Sequence, residues 1–158
     1  MAVFIGMGAA ALALALQAQN TDTGITTDNE AATGPCIESN RQAIESDTVT
    51  DAQWKEIISC VFTNTAAQMD AQLPKKIDPI TTLVSVSSNG PTFNYTYVLD
   101  VSMADVQQQN IDSLEAATRQ NACTDPAMTQ TIGLGGSYFY RWVDRSGTQI
   151  TSMRIDAC

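Results

Sequence analysis

The four cysteines are the residues whose type and spacing say most about chemistry, because the chain contains no histidine. They are Cys36, Cys60, Cys123 and Cys158, with no Cys-x-x-Cys pair among them. A zinc site needs clustered thiolates or imidazoles, and a catalytic serine or thiolate is usually activated by a histidine base. We therefore expect disulfides formed in an oxidising compartment, and we expect no catalytic, cofactor-binding or metal-binding residue.

Four cysteines can pair in three ways. Sequence order favours Cys36 with Cys60 and Cys123 with Cys158, which would place one bridge in each half of the domain. Each bridge would stabilise the fold by about 3 kcal/mol, because a closed loop restricts the unfolded chain.

The charge of the chain limits its partners. Eight Lys and Arg stand against 17 Asp and Glu, a formal net charge of −9. Nucleic acids and anionic membrane surfaces are bound by cationic side chains, so we expect neither as a partner. Lys75-Lys76 is an isolated basic pair and is predicted to be a solvated connection.

Two carboxylates facing each other could serve as the catalytic pair of a small hydrolase. This function stays as an alternative, because the sequence does not show which carboxylates face each other.

Six aromatic residues recur on two predicted strands, and two interpretations of them remain open. They could form a stacking platform for a sugar, a peptide or bases. They could instead be the sheet face that the helices cover, with tyrosine hydroxyls at its rim. The six residues are Phe93, Tyr95, Tyr97, Tyr138, Tyr140 and Trp142.

Residues 1–18 are predicted to be an export signal or an N-terminal membrane anchor. Positions 2 to 16 are uncharged and largely apolar, and the run is shorter than the ~20 residues that span a bilayer as a straight helix. Cleavage near Ala15 or Ala18 would fit a signal peptide. Residues 19–34 are rich in Thr, Asn, Asp and Gly and are predicted to be a flexible tether. The bulk of the chain would then be periplasmic or otherwise extracytoplasmic.

The domain is predicted to begin at Pro35 and to run to Cys158. Thr50 and Gln53 form a capping box for a long helix that Pro74 ends. The alternation of apolar and polar residues over 92–100 predicts a strand of a hairpin. Helices are predicted over 35–45, 51–73, 102–121 and from Asp125 to the glycines at 133–136, and strands over 80–86, 92–100, 137–144 and 148–156. The fold class is α+β, a two-layer sandwich in which helices cover one face of a four-stranded antiparallel sheet made of two hairpins.

Residues 60–158 resemble small bacterial envelope proteins that are similar to the beta-type pilotins of type II secretion. The motifs that carry the likeness are Leu73-Pro74-Lys75-Lys76-Ile77-Asp78, Asn121-Ala122-Cys123-Thr124-Asp125-Pro126 and the terminal Asp156-Ala157-Cys158. The resemblance implies a periplasmic domain with an antiparallel sheet and a disulfide between Cys123 and Cys158. It also implies binding of a short helix from an outer-membrane secretin. Pilotins of this type are lipoproteins, whereas Leu16-Gln17-Ala18-Gln19 contains no lipobox cysteine.

Three functions follow from these features. The first is an exported, non-enzymatic envelope protein that offers a groove between sheet and helix to a partner helix, as a pilotin-like accessory of secretion or assembly. The second is a membrane-anchored accessory subunit of an envelope complex. The third is the small carboxylate-dependent hydrolase.

N-terminal sequencing of the protein purified from its native envelope separates the first two functions. Export with cleavage predicts a mature N-terminus close to Leu16 or Gln19. An intact Met1 in the membrane fraction would contradict cleavage and favour the anchored subunit.

Overall fold

The computed structural model describes residues 28–158, and residues 1–27 lie outside it. The predicted signal or anchor, residues 1–18, is therefore outside the described residues, as are positions 19–27 of the predicted tether. Helices are α1 (Asn29–Glu38), α2 (Arg41–Glu45), α3 (Asp51–Asp70), α4 (Gln108–Thr124) and α5 (Pro126–Gly133). Strands are β1 (Lys75–Lys76), β2 (Thr81–Asn89), β3 (Thr92–Leu99), β4 (Ser137–Val143) and β5 (Gln149–Ile155).

The sheet is mixed and has five strands in the order β1-β2-β3-β4-β5, so the predicted four-stranded antiparallel sheet is wrong in two respects. Both hairpins form as predicted, β2 with β3 and β4 with β5. However, β3 and β4 pair in parallel. In addition, Lys75 and Lys76 form a short edge strand against β2, where a loop connection was predicted. Lysines on an edge strand discourage pairing with another chain.

Strands β3 and β4 pair in parallel because two helices connect the two hairpins. The chain leaves β3 at Leu99 and passes through α4 and α5, and the amide of Ser137 then donates to the carbonyl of Pro91 beside the start of β3. Since β4 starts at the same end as β3, the two strands run in the same direction. Gly136 permits this return, because a Cβ there would lie 2.8 Å from Cγ2 of Thr131.

Helices α3, α4 and α5 contribute to the clusters on one face of the sheet, as predicted. The capping box of Thr50 and Gln53 starts α3, and its apolar stripe supplies the centre of the core. Phe62 packs edge-on against Phe93 with ring centroids 5.0 Å apart. The predicted helix over 102–121 begins later. Ser102 opens only a 3-10 turn at Met103–Asp105, and extended backbone at Val106 separates that turn from α4.

The folded part starts before the predicted boundary at Pro35. Residues 29–34 belong to α1, and Ala32 is fully buried in the core. Proline disfavours helix interiors, which is why the sequence placed Pro35 at a helix start. In the structure, packing against α3 compensates for this cost. The side-chain Nδ2 of Asn64 donates to the carbonyl of Ala32 at 3.1 Å, and Cys36 is disulfide-bonded to Cys60.

Two disulfides join the elements in the pairing that sequence order favours. The bridge from Cys36 to Cys60 holds α1 on α3, with Cα atoms 5.8 Å apart. The bridge from Cys123 to Cys158 holds the end of α4 to the C-terminus, with Cα atoms 5.5 Å apart. No helix within residues 28–158 combines the length and apolar character needed to cross a membrane.

Asp144 organises the turn between β4 and β5 and is only 4% exposed. Its Oδ1 accepts hydrogen bonds from the Ser146 hydroxyl and from the amides of Ser146 and Thr148, and its Oδ2 accepts one from the amide of Met103. The hydrogen bond from the Ser146 hydroxyl and those from the backbone lower the pKa of Asp144 to about 2. The carboxylate thus links this turn to the 3-10 turn that follows β3.

Removing the C-terminal bridge with Cys123→Ser and Cys158→Ser should lower the free energy of unfolding by about 3 to 4 kcal/mol, because the bridge closes a loop with a sequence separation of 35. Urea denaturation followed by circular dichroism measures the change. Reduced wild-type protein is the control. A double variant as stable as the oxidised wild type would show that this bridge does not constrain the chain.

Acid should destabilise the protein through Asp144. A carboxylate whose pKa is lower in the folded than in the unfolded state contributes stability above its unfolded pKa and loses it as the pH falls through the folded value. With a pKa lowered from 3.8 to about 2, the loss falls between about pH 4 and pH 2. Urea denaturation of Asp144→Asn should show a shallower pH dependence there than the wild type. Glu56→Gln, at an exposed position of α3, should keep the wild-type slope. An equal slope for Asp144→Asn and wild type would contradict the assignment.

Candidate protein-binding groove

An open groove of about 260 Å³ lies on the helix-covered face of the sheet. Strands β3 and β4 supply its floor, α4 and the start of α5 supply one wall, and the loop from β1 into β2 supplies another. The lining residues are Asp78, Thr81, Tyr95, Tyr97, Leu99, Leu114, Thr118, Asn121, Ala122, Asp125, Met128, Tyr140 and Trp142.

Four stacked aromatic rings make the floor. The parallel register places Tyr95 beside Tyr140 and Tyr97 beside Trp142. Ring centroids are 5.1 Å apart in the first pair and 6.1 Å in the second, with interplanar angles of 15° and 17°. Tyr140 and Trp142 stack along β4 at 5.8 Å. Offset stacking of this kind is favourable and holds each ring in place, so the floor is rigid and largely apolar.

The aromatic stripe is divided between the core and the groove. At one end, Phe93 and Tyr138 are fully buried, and the rings of both lie against Phe62 of α3. At the other end, Tyr97 and Tyr140 are only half-buried and line the groove. The interpretation as a covered sheet face therefore holds at the first end, and the interpretation as a stacking platform stays a prediction for the second.

Helix α4 presents one stripe of residues to the groove. Leu114, Thr118 and Ala122 follow one another at i and i+4 spacing, which places them on one side of a helix. The disulfide from Cys123 fixes the last turn of this helix. Asp125 then caps α5, since its Oδ1 accepts hydrogen bonds from the amides of Ala127 and Met128, both at 2.9 Å. The wall is therefore held at its C-terminal end by a covalent bond and a helix cap.

The loop before β2 contributes a second carboxylate. The Oδ1 atom of Asp78 accepts hydrogen bonds from the amides of Ile80 at 2.9 Å and Thr81 at 2.8 Å. The hydrogen bond from Ile80 is the main cause that lowers the pKa of Asp78, so this group is ionised at neutral pH. Within the same loop, Ile80 is 53% exposed, which is unusual for a large apolar side chain in this domain.

The lining suits contact with apolar side chains, because four aromatic rings, Leu99, Leu114 and Met128 contribute to it. Among residues 28–158, no three His, Cys, Asp or Glu side chains cluster as metal ligands would. A space of this size, floored by tyrosine and tryptophan, is suited to one or two anchoring side chains of a protein partner.

The sequence analysis assigned no partner-binding residue, but it named some of the residues that line the groove. The four cysteines lie outside the groove lining, although the Cys123 bridge positions its wall. Tyr95, Tyr97, Tyr140 and Trp142 were identified as an aromatic face and do line it. Asp78 was quoted only within a motif and Asp125 also as the start of a helix, and their position in one groove was not predicted. Each directly precedes a proline, which is a signal for a turn or a helix start and gives no indication of a binding site.

Comparison with known proteins gives structural but not sequence matches. No family model matches the chain, and no curated protein matches it significantly. Three solved structures share its fold, and each match covers 66% of this chain. One, of a Pseudomonas aeruginosa protein described as secreted, has a TM-score of 0.57 at 16% identity, with 93% of that chain covered.

The other two structures are pilotins. EpsS, from the type 2 secretion system of Vibrio vulnificus, has a TM-score of 0.56 at 13% identity, with 92% of its chain covered. AspS, from the type II secretion system of Vibrio cholerae, has a TM-score of 0.53 at 12% identity, with 93% covered. At such low identity the likeness concerns the fold. The resemblance to pilotins expected from the sequence motifs is confirmed at that level, and the chain has a pilotin-like fold.

Proposed function

We propose that this protein is an extracytoplasmic, pilotin-like accessory of secretion or envelope assembly that binds a helix of a protein partner. The observation that carries the proposal is the groove above the rings of Tyr97, Tyr140 and Trp142. An amphipathic helix docks by inserting apolar side chains at i, i+3, i+4 and i+7 into such a groove. Tyrosine and tryptophan are the residue types that most often dominate binding energy at protein interfaces.

The likeness to EpsS and AspS supports this role, because both are named as pilotins of secretion systems. By that analogy the partner would be a helix of a secretin, the partner that the sequence resemblance implies. The fold alone does not assign a function, so the argument depends on the groove.

Placement outside the cytoplasm is supported by the two disulfides, which persist in oxidising compartments. One of the structural matches is also described as secreted. The membrane-anchored subunit remains the alternative, since it differs only in the fate of residues 1–18. Both versions leave the groove facing the same compartment.

A carboxylate-dependent hydrolase is the second candidate, because Asp78 and Asp125 line the same groove. Such an enzyme needs one carboxyl group with a raised pKa to donate a proton. The hydrogen bond from the amide of Ile80 lowers the pKa of Asp78, which makes it a poor proton donor. The aromatic floor of the groove favours partner binding over hydrolysis.

Site-specific photocrosslinking in the native envelope tests the proposal. A photoreactive amino acid at Thr118, in the groove, should form an adduct with an envelope protein, and mass spectrometry should locate the adduct in an amphipathic helix of that protein. The same probe at Thr96 is the control, because alternation along β3 places Thr96 on the face opposite the aromatic rings. Trp142→Ala should weaken the adduct from Thr118.

Adducts from Thr96 but not from Thr118 would contradict the proposal. An adduct from Thr118 that maps to a loop or strand of the captured protein would contradict the helical part of it. Hydrolysis of an envelope polymer that is lost in Asp78→Asn would favour the enzyme instead.

A further inference from the structure

We propose that the groove selects a basic amphipathic helix, with Asp78 and Asp125 each binding a lysine or arginine that flanks the apolar stripe of the partner. This inference rests on the proposed function and adds the chemistry of the partner. Asp78 comes from the loop before β2 and Asp125 from the junction of α4 and α5, so the two carboxylates belong to different walls of the groove. The aromatic floor lies in the same groove.

Both carboxylates are held in place before any partner arrives. In each, Oδ1 accepts two hydrogen bonds from backbone amides, at 2.8 to 2.9 Å. These bonds fix the side chains, so binding a cation does not require them to be ordered first. Asp78 also accepts a hydrogen bond from the side chain of Thr81. An ionised carboxylate offers about four lone-pair sites, so each can accept a further hydrogen bond from an ammonium or guanidinium group.

The surroundings leave this negative charge largely uncompensated. None of the residues that line the groove in the described part of the chain is basic. Lys76 is the cation that interacts with Asp78, and it lies on the edge strand outside the lining. The whole chain carries a net charge of −9. A potential of one sign accelerates the encounter with a partner of opposite charge and disfavours partners of like charge.

Charge also disfavours two other possible ligands of the groove. A second copy of this chain would bring its own charge of −9 to an acidic groove. The segment from Ala2 to Leu16 is apolar but uncharged, so it would leave both carboxylates without a cation. A partner helix with basic residues beside its apolar stripe matches both the floor and the walls.

Three synthetic peptides of about 18 residues test the inference, each an amphipathic helix with the same leucine stripe at helical spacing. They differ only at the two positions flanking the stripe, which carry lysine, glutamine or glutamate. Binding to the oxidised protein is measured by the change in tryptophan fluorescence, and Trp54→Phe leaves Trp142 as the reporter in the groove. We expect the lysine peptide to bind about tenfold more tightly than the glutamine peptide at low salt, with an advantage that shrinks at high salt.

Asp78→Asn and Asp125→Asn together should reduce the preference for lysine over glutamine to within about twofold, with little change in affinity for the glutamine peptide. Asparagine keeps an acceptor oxygen for the amides and is a good helix N-cap, so the fold should persist. The control pair Glu56→Gln and Asp112→Asn removes two charges at exposed positions outside the groove lining and should keep the preference.

The outcomes distinguish this inference from the proposed function. Equal binding of all three peptides, or tightest binding of the glutamate peptide, would overturn the charge selection and leave helix binding intact. Equal loss of the lysine preference in the control pair would assign it to net charge and overturn the role of Asp78 and Asp125. Absence of binding of every peptide, both by tryptophan fluorescence and by isothermal titration calorimetry, would overturn both the inference and the helix-binding groove.

Discussion

The rings of Tyr95 and Tyr140 stack 5.1 Å apart because β3 and β4 run parallel and in register, and the rest of the structure depends on this pairing. Two hairpins, each too small to hold a core alone, become one sheet through it. The same register aligns Phe93 with Tyr138 and Tyr97 with Trp142, so one aromatic stripe crosses the middle of the sheet. The helices are then arranged around that stripe.

The helices cover the two ends of the stripe unequally. One end belongs to the core, and the other lines the groove. Helix α3 seals one end, where Phe62 contacts both Phe93 and Tyr138. At the other end, α4 stands to one side, held by the Cys123 bridge and followed by the Asp125 cap, and the rings of Tyr97 and Tyr140 stay half-buried. Under the proposed function, this rigid floor between fixed walls would need little ordering when a partner's side chains bind.

Local features of the fold could be predicted from the sequence, whereas the relations between distant elements could not. The capping box at Thr50, both hairpins and the helix at Asp125 each follow from a few adjacent residues, and the structure contains them. The direction of β4 relative to β3 depends on the end of the sheet at which the chain re-enters after α4 and α5. No pattern of adjacent residues predicts that end. The sequence analysis predicted that the first helix starts at Pro35, whereas α1 starts at Asn29. Burial of Ala32 outweighs the helix-breaking tendency of Pro35. Asp125 was recognisable as the start of a helix, but the groove that it shares with Asp78 results from the tertiary fold.

The central claim is that a partner helix contacts the half-buried end of the aromatic stripe, at Tyr97 and Tyr140. Intermolecular nuclear Overhauser effects, measured on the complex with the helical segment captured from the envelope, test it most directly. The account predicts contacts between the ring protons of Tyr97, Tyr140 and Trp142 and the apolar side chains of that segment. Contacts confined to the opposite face of the sheet, around Thr96 and Arg141, would contradict it.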